Sequence, residues 1–196
     1  MITLKRFSGR KLKEKVSIGI IGIGMGCGAT HLAVALANYT QSVLGRKTAC
    51  IELSGKHELK YMIQKEGDKK QKLLGVQYFT DIGVGKIPEI MNSKFEVLIL
   101  DLGAEYTAAR EEFLRCDHKI VTGSISPWRV SAYEHFLKKE IVTENFKSWE
   151  FLALFANLTD KKVIQKRCGV QMISIPWIEN PFCLKKEDMI FLQKIV

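Results

Sequence analysis

The chain lacks what a disulfide-stapled secreted domain or a zinc module would need. Its 196 residues hold five cysteines, Cys27, Cys50, Cys116, Cys168 and Cys183. An odd number with no Cys-x-x-Cys spacing specifies neither a disulfide framework nor a metal cage. Reduced, mostly buried thiols of a cytoplasmic protein are expected instead. His57, His118 and His135 have no ligand-like spacing either. A long hydrophobic run is also missing. Val16 to Ile23 is too short for a bilayer, is interrupted by Gly19 and Gly22, and offers no convincing signal-peptide cleavage site. There is no internal repeat, low-complexity tract or dividing linker. A single domain over 1–196 is therefore expected, with a basic leader over 1–15 and a C-terminal helix over 187–196.

What is present is enough apolar residue to build a core, 46% of the chain, and a formal net charge of +9. That excess of Lys and Arg favours an acidic partner: a membrane surface or acidic protein face first, nucleic acid behind them. The lysines are spread along the chain, so plain solubility explains them equally well. The run VSIGIIGI from Val16 reads as a central strand buried on both faces. A helix is expected from Thr30 to about Val43, then strands over Lys47 to Leu53, Val76 to Phe79 and Phe95 to Leu102. Further strands are expected over Lys119 to Gly123, Trp149 to Phe155 and Val170 to Ile175. Helical stretches separate them, including an amphipathic one from Pro127 to Lys139 with Trp128, Val130, Tyr133 and Leu137 on one face. Strands alternating with helices point to an α/β domain with a mostly parallel sheet.

Between the first strand and its helix lies Gly24-Met25-Gly26-Cys27-Gly28-Ala29-Thr30-His31. Glycines let a backbone wrap an anion closely, and the amides at a helix N-terminus point at it. A phosphate loop of this class ends in Gly-Lys-Ser/Thr; this one ends in Gly28-Ala29-Thr30, with Ala29 where the lysine stands. The strand VLILDLG carries Asp101 at its C-terminal end, where a magnesium-side carboxylate belongs. Glu52 ends the second strand beside the same crevice. The loop also satisfies Gly-x-Gly-x-x-Ala, a dinucleotide fingerprint in which Glu52 would grip a ribose, so an NAD-type domain is the rival reading.

The stretches GMGCGATHLAVALANY, CIEL, VLILDLGAEY, CDHKIVTGSISPW and FANLTD to VQMISIPW together resemble the MinD/ParA group of P-loop ATPases (SIMIBI class), especially its TadZ/CpaE-like pilus-assembly branch, over roughly Val16 to Phe182. Many CpaE-type proteins carry a receiver-like domain ahead of this one; none is expected here. The resemblance implies a three-layer α/β/α P-loop fold. It implies ATP or ADP with Mg held by Gly24, Met25, Gly26, Cys27, Gly28, Ala29, Thr30 and His31, with Thr30 and Asp101 on the metal side. Glu52 falls at a switch carboxylate, Asn157 near the position that reads adenine, and Pro176 in the segment flanking the base. The family loop reads Lys-Gly-Gly-x-Gly-Lys-Thr-Thr. Gly24 thus replaces its signature lysine, which normally reaches across a dimer, and Ala29 replaces the second lysine. Fast hydrolysis is not expected from such a loop. The implied role is a degenerate switch or pseudo-ATPase that dimerises or docks on a membrane-associated pilus or secretion assembly; a slow ATPase is the alternative. Its place would be the cytoplasm or the inner face of the membrane. The C-terminal KKEDMIFLQKIV invites comparison with membrane-seeking helices, although docking on the domain is the commoner fate of such a segment.

Overall fold

The protein is described by a computed structural model covering residues 14–65, 71–140 and 146–196. The basic leader, an edge strand around Ile2 to Phe7 and a turn at Gly67-Asp68 lie essentially outside these residues.

Eight strands are present among the described residues: β1 (Val16–Gly22), β2 (Thr48–Glu52), β3 (Lys72–Leu73), β4 (Val76–Phe79), β5 (Val97–Asp101), β6 (His118–Ser124), β7 (Trp149–Leu154) and β8 (Met172–Ser174). They form one sheet in the order β3-β4-β2-β5-β1-β6-β7-β8. All neighbours run parallel except the β3–β4 pair. The helices are α1 (Ala29–Asn38), α2 (Glu58–Lys65), α3 (Ile87–Met91), α4 (Tyr106–Arg115), α5 (Val130–Glu140), α6 (Leu158–Cys168) and α7 (Lys186–Lys194).

The central strands read as unbroken apolar runs because helices cover both faces of the sheet. Every residue of β1, β2 and β5 is buried. On one face, Ile18 and Ile20 pack with Leu32 and Leu36 of α1, Leu59 of α2 and Phe191 and Leu192 of α7. On the other, Ile21, Leu98 and Leu100 pack with Phe113 of α4, Tyr133 and Leu137 of α5 and Ile164 of α6. These are the three layers expected. The C-terminal helix docks on the first face, and among the described residues no helix is long and apolar enough to cross a membrane.

The strand order bears on the rival reading, and one helix start needs correction. β1 sits between β5 and β6 rather than beside β2. A dinucleotide fold keeps its first and second strands adjacent, so the NAD-type reading of the glycine turn loses its architectural support. The helix expected from Pro127 begins at Val130, and Trp128 is 80% exposed on the turn before it.

Close packing of α5 on β6 rests on a glycine. A Cβ at Gly123 would stand 2.6 Å from a ring carbon of Tyr133. The ring cannot yield easily, because its buried hydroxyl lies 3.1 Å from the Val121 carbonyl and 3.2 Å from that of Leu152. Overpacking of this kind costs about 1–3 kcal/mol. Gly123→Ala is therefore expected to lower the urea midpoint at unchanged slope; an unmoved midpoint would show that the helix slides freely on the strand.

Candidate functional site

The parallel register gathers the C-terminal ends of β1, β2, β5 and β6 at one sheet edge, where open α/β sheets bind ligands. Asp101 lies beside Ile20 of β1 and Glu52 of β2. From β1 the chain enters the glycine loop. Gly24, Gly26 and Gly28 all have positive φ, at 91°, 72° and 79°, a conformation that only glycine adopts cheaply. Gly28 is the N-cap of α1, so no side chain caps the helix, and the first turn contains no acidic residue. Its leading amides thus lack intrahelical acceptors and carry the positive end of the helix dipole.

These amides face a cavity of about 220 Å³ lined by Gly24, Gly26, Cys27, Gly28, Ala29, Thr30, His31, Lys56, Glu58, Gly103 and Ala104. Sites enclosing a whole small ligand run to about 300–1,000 Å³, so this volume suits a phosphate tail better than an entire nucleotide. Thr30 Oγ1 donates to Glu58 Oε2 at 2.8 Å. Behind it Asp101 is fully buried. Its Oδ1 accepts from the Gly103 amide at 3.2 Å, while its Oδ2 has no hydrogen-bond partner. Burial pushes the Asp101 carboxyl up to about 6; the nearby Glu52 and Glu58 push the same way, and the neighbouring Thr30 hydroxyl and Gly103 amide oppose them. An orphaned, buried carboxylate oxygen near a hydroxyl fits the side of a hydrated Mg ion that also holds phosphate oxygens. Thr30 and Asp101 are the side chains that would hold it. Among the described residues no group of three or more His, Cys, Asp or Glu is arranged to hold a metal unaided.

The other residues singled out from sequence are placed as follows. Met25 is exposed at the loop tip, and the buried Cys27 thiol donates to the Ile23 carbonyl at 3.1 Å, so it shapes the loop from within. His31 lines the cavity and its Nε2 lies 2.8 Å from the Ile178 carbonyl. That contact makes Nε2 the protonated nitrogen, since a carbonyl only accepts. It ties α1 to the segment after β8 that also contains Pro176. Glu52 is turned to α2, where its oxygens accept the Leu59 and Lys60 amides at 3.0 and 3.2 Å. Asn157 caps α6, with Oδ1 accepting the Asp160 amide at 2.8 Å. Neither Glu52, Asn157 nor Pro176 lines the cavity.

Sequence reasoning passed over Glu58, and Arg129, whose Nη1 donates to the Met25 carbonyl at 2.9 Å; Lys56 belongs to a lysine-rich stretch over Lys56 to Lys72 for which the sequence offers a basic patch or a solvated loop. No spacing rule links residues 58 and 30 or 129 and 25; only the folded sheet brings them together. A rim of exposed apolar side chains was also missed: Met25, Trp128, Phe155, Leu158 and Trp177 stand on or just beyond the loops after β1, β6, β7 and β8, with Trp177 85% exposed.

No protein-family model matches the chain, and no curated protein matches it by sequence. Solved structures match it in fold. A plasmid partition protein of Borrelia burgdorferi B31 bound to AMPPNP aligns with a TM-score of 0.64 at 15% identity, over 93% of this chain and 97% of that one. A ParA family ATPase from Chlorobium tepidum TLS aligns at 0.62 and 15% identity, covering 92% and 91%. The cell division ATPase MinD of Pyrococcus furiosus aligns at 0.59 and 12% identity, covering 93% and 98%. The chain thus has the fold of the ParA/MinD ATPases, at identities that speak to fold alone.

Proposed function

We propose that this protein binds ATP or ADP with Mg at the Gly24–His31 cradle, turns it over slowly or not at all, and uses the bound state to control docking of the face around the site. One observation carries the reading: three left-handed glycines deliver the uncapped start of α1 to a cavity lined by Thr30 and Gly103, close behind which a buried Asp101 oxygen lies without a partner. Amides would take the phosphates, and Thr30 and Asp101 the metal side. Bound Mg would supply charge neutralisation between phosphate oxygens and the two side chains. The AMPPNP held by the Borrelia neighbour supports the ligand class. The absence of lysine at positions 24 and 29 supports slow turnover, since each cation of this type stabilises a phosphoryl-transfer transition state by roughly 3 kcal/mol or more. A sluggish ATPase is the second reading, favoured by the retained Thr30 and Asp101.

The exposed rim of Met25, Trp128, Phe155, Leu158 and Trp177 supports the docking half. Aromatic side chains this exposed around a ligand site suit an interface, either a second copy of the chain or a protein of a membrane-associated assembly. A TadZ/CpaE-like place in pilus or secretion assembly at the inner face of a membrane follows from the sequence resemblance. With Phe191, Leu192 and Ile195 buried, the C-terminal helix would have to leave its seat to reach lipid.

Melting in the presence of Mg with ATP, ADP or NADH tests the ligand. A ligand present at about 100 times its Kd adds about 2.7 kcal/mol to stability, so a rise of several degrees with ATP or ADP and none with NADH is expected. No rise at millimolar ATP, or a rise with NADH alone, would overturn the reading. Phosphate release measured on the same sample separates static binding from slow turnover.

A further inference from the structure

We propose that Arg129 supplies, from within the same chain, the phosphate-binding cation that the glycine loop lacks. The inference rests on the nucleotide reading and assigns it a residue. The loop offers amides and a hydroxyl but no positive side chain, with Gly24 and Ala29 at the two cationic positions of the family motif. Arg129 approaches it from a different element. Its amide donates to the Ser126 carbonyl at 2.8 Å, closing the turn between β6 and α5 and fixing the backbone. The side chain then crosses to the loop, where Nη1 donates to the Met25 carbonyl at 2.9 Å. The same Nη1 would lie 3.4 Å from a Cβ built on Gly24. The guanidinium therefore stands against the point from which a side chain at position 24 would leave the loop. The charge has been kept and the residue that delivers it has moved.

Among the described residues no carboxylate forms an ion pair with Arg129, and Glu58 of the cavity lining accepts from Thr30 instead. A guanidinium has five N–H donors, and a planar fork suited to two phosphate oxygens. One donor engaged at Met25 leaves the rest for a ligand. Independently, the Asp101 oxygen without a partner, close to Thr30 of the cavity lining, marks a place for a cation on the ligand. A Mg-bearing phosphate between the two would satisfy both.

A signature lysine that reaches across a dimer makes phosphate binding depend on the second copy. A cation supplied in cis removes that dependence. Affinity for Mg-ATP should therefore not change with protein concentration through the range where monomer gives way to dimer.

The test is titration of the full chain and of R129Q and R129K with Mg-ATP and with Mg-pyrophosphate, at low and high protein concentration and two salt concentrations. Arg129 is exposed, so the variants should fold, and their melting curves check it. Expected is a loss of about tenfold or more for both probes in R129Q, a weaker salt dependence in R129Q, and partial recovery in R129K. Wild-type affinity should be independent of protein concentration. Unchanged binding in R129Q overturns the assignment and leaves the nucleotide reading standing, whereas no binding of either probe by the wild type overturns both. R129K as weak as R129Q, with wild-type salt dependence in each, would mean that Arg129 only shapes the loop. A loss confined to dimer-forming concentrations would place its action across an interface. Either result overturns the assignment in cis.

Discussion

Asp101→Asn is expected to make the unliganded protein more stable at pH 7.5 and to abolish its stabilisation by Mg-nucleotide. The carboxyl titrates near 6 in the folded protein, against an ordinary value of 3.8, chiefly because it is buried. A raised acid pKa means that the folded state holds a proton that the unfolded chain has released between these two values. Stability from this group therefore falls as pH rises from about 4 to 6, and the full penalty applies above 6. That difference corresponds to about 3 kcal/mol. Asparagine has no charge to bury, but its amide nitrogen needs an acceptor, and leaving it unpaired costs about 1–3 kcal/mol, so a net gain of up to about 2 kcal/mol is expected. Urea melts across pH should show the variant's advantage shrinking below pH 6 and vanishing near pH 4, where the wild type is itself protonated. Bound Mg reverses the preference, because it favours the ionised form; only the wild type should then gain stability from Mg-ATP. A variant less stable than wild type at every pH would show that the Gly103 amide needs a carboxylate, and that the unpartnered oxygen has no bearing on a ligand. Keeping a group that destabilises the free protein is intelligible where the strain is relieved by binding.

The sheet was legible because buried parallel strands have only one way to look: VSIGIIG and VLILD carry no polar face to confuse the reading. The glycine turn was legible because left-handed backbone needs glycine, and this chain placed it three times in five residues. Helical spacing misled at Trp128, since the periodicity of Val130, Tyr133 and Leu137 extrapolates one turn backward past the true start of α5. The antiparallel β3 was invisible because two residues carry no period, and the hairpin turn rests on Leu74 and Gly75 with positive φ. Glu52 and Asn157 illustrate a different limit. A polar residue at a strand or helix end can face a ligand or cap the next helix with the same chemistry, and both are engaged with helix amides here. The contacts that Glu58 of the cavity lining and Arg129 at the loop tip make were beyond reach because each arrives from an element distant from the loop in sequence.

Glu58 is the residue that most affects what restoring the missing lysine would achieve. Thr30 holds its carboxylate at 2.8 Å, inside the cavity where phosphate would lie. A unit charge about 4 Å away is worth about 1 kcal/mol in water and about 4 at the effective dielectric of a protein surface; a half-open cavity falls between, enough for a tenfold effect on affinity. Glu58→Gln alone is therefore expected to tighten Mg-ATP binding about tenfold. Ala29→Lys alone should gain less than the loop motif suggests. Its ammonium, at the first position of α1 where the helix dipole already disfavours a cation, would pair with Glu58 in the free protein, and a nucleotide would have to break that pair. The double variant removes the competitor and should bind more tightly than the two single gains multiplied together, a coupling that a double-mutant cycle measures directly. Exact additivity would mean that Glu58 does not compete for the cradle. Weaker binding by Glu58→Gln in Mg, with no change when Mg is left out, would mean that the carboxylate serves the metal instead. In that case its hydrogen bond to Thr30 is the resting arrangement of a magnesium site, and the slow chemistry expected here traces to the two absent lysines alone.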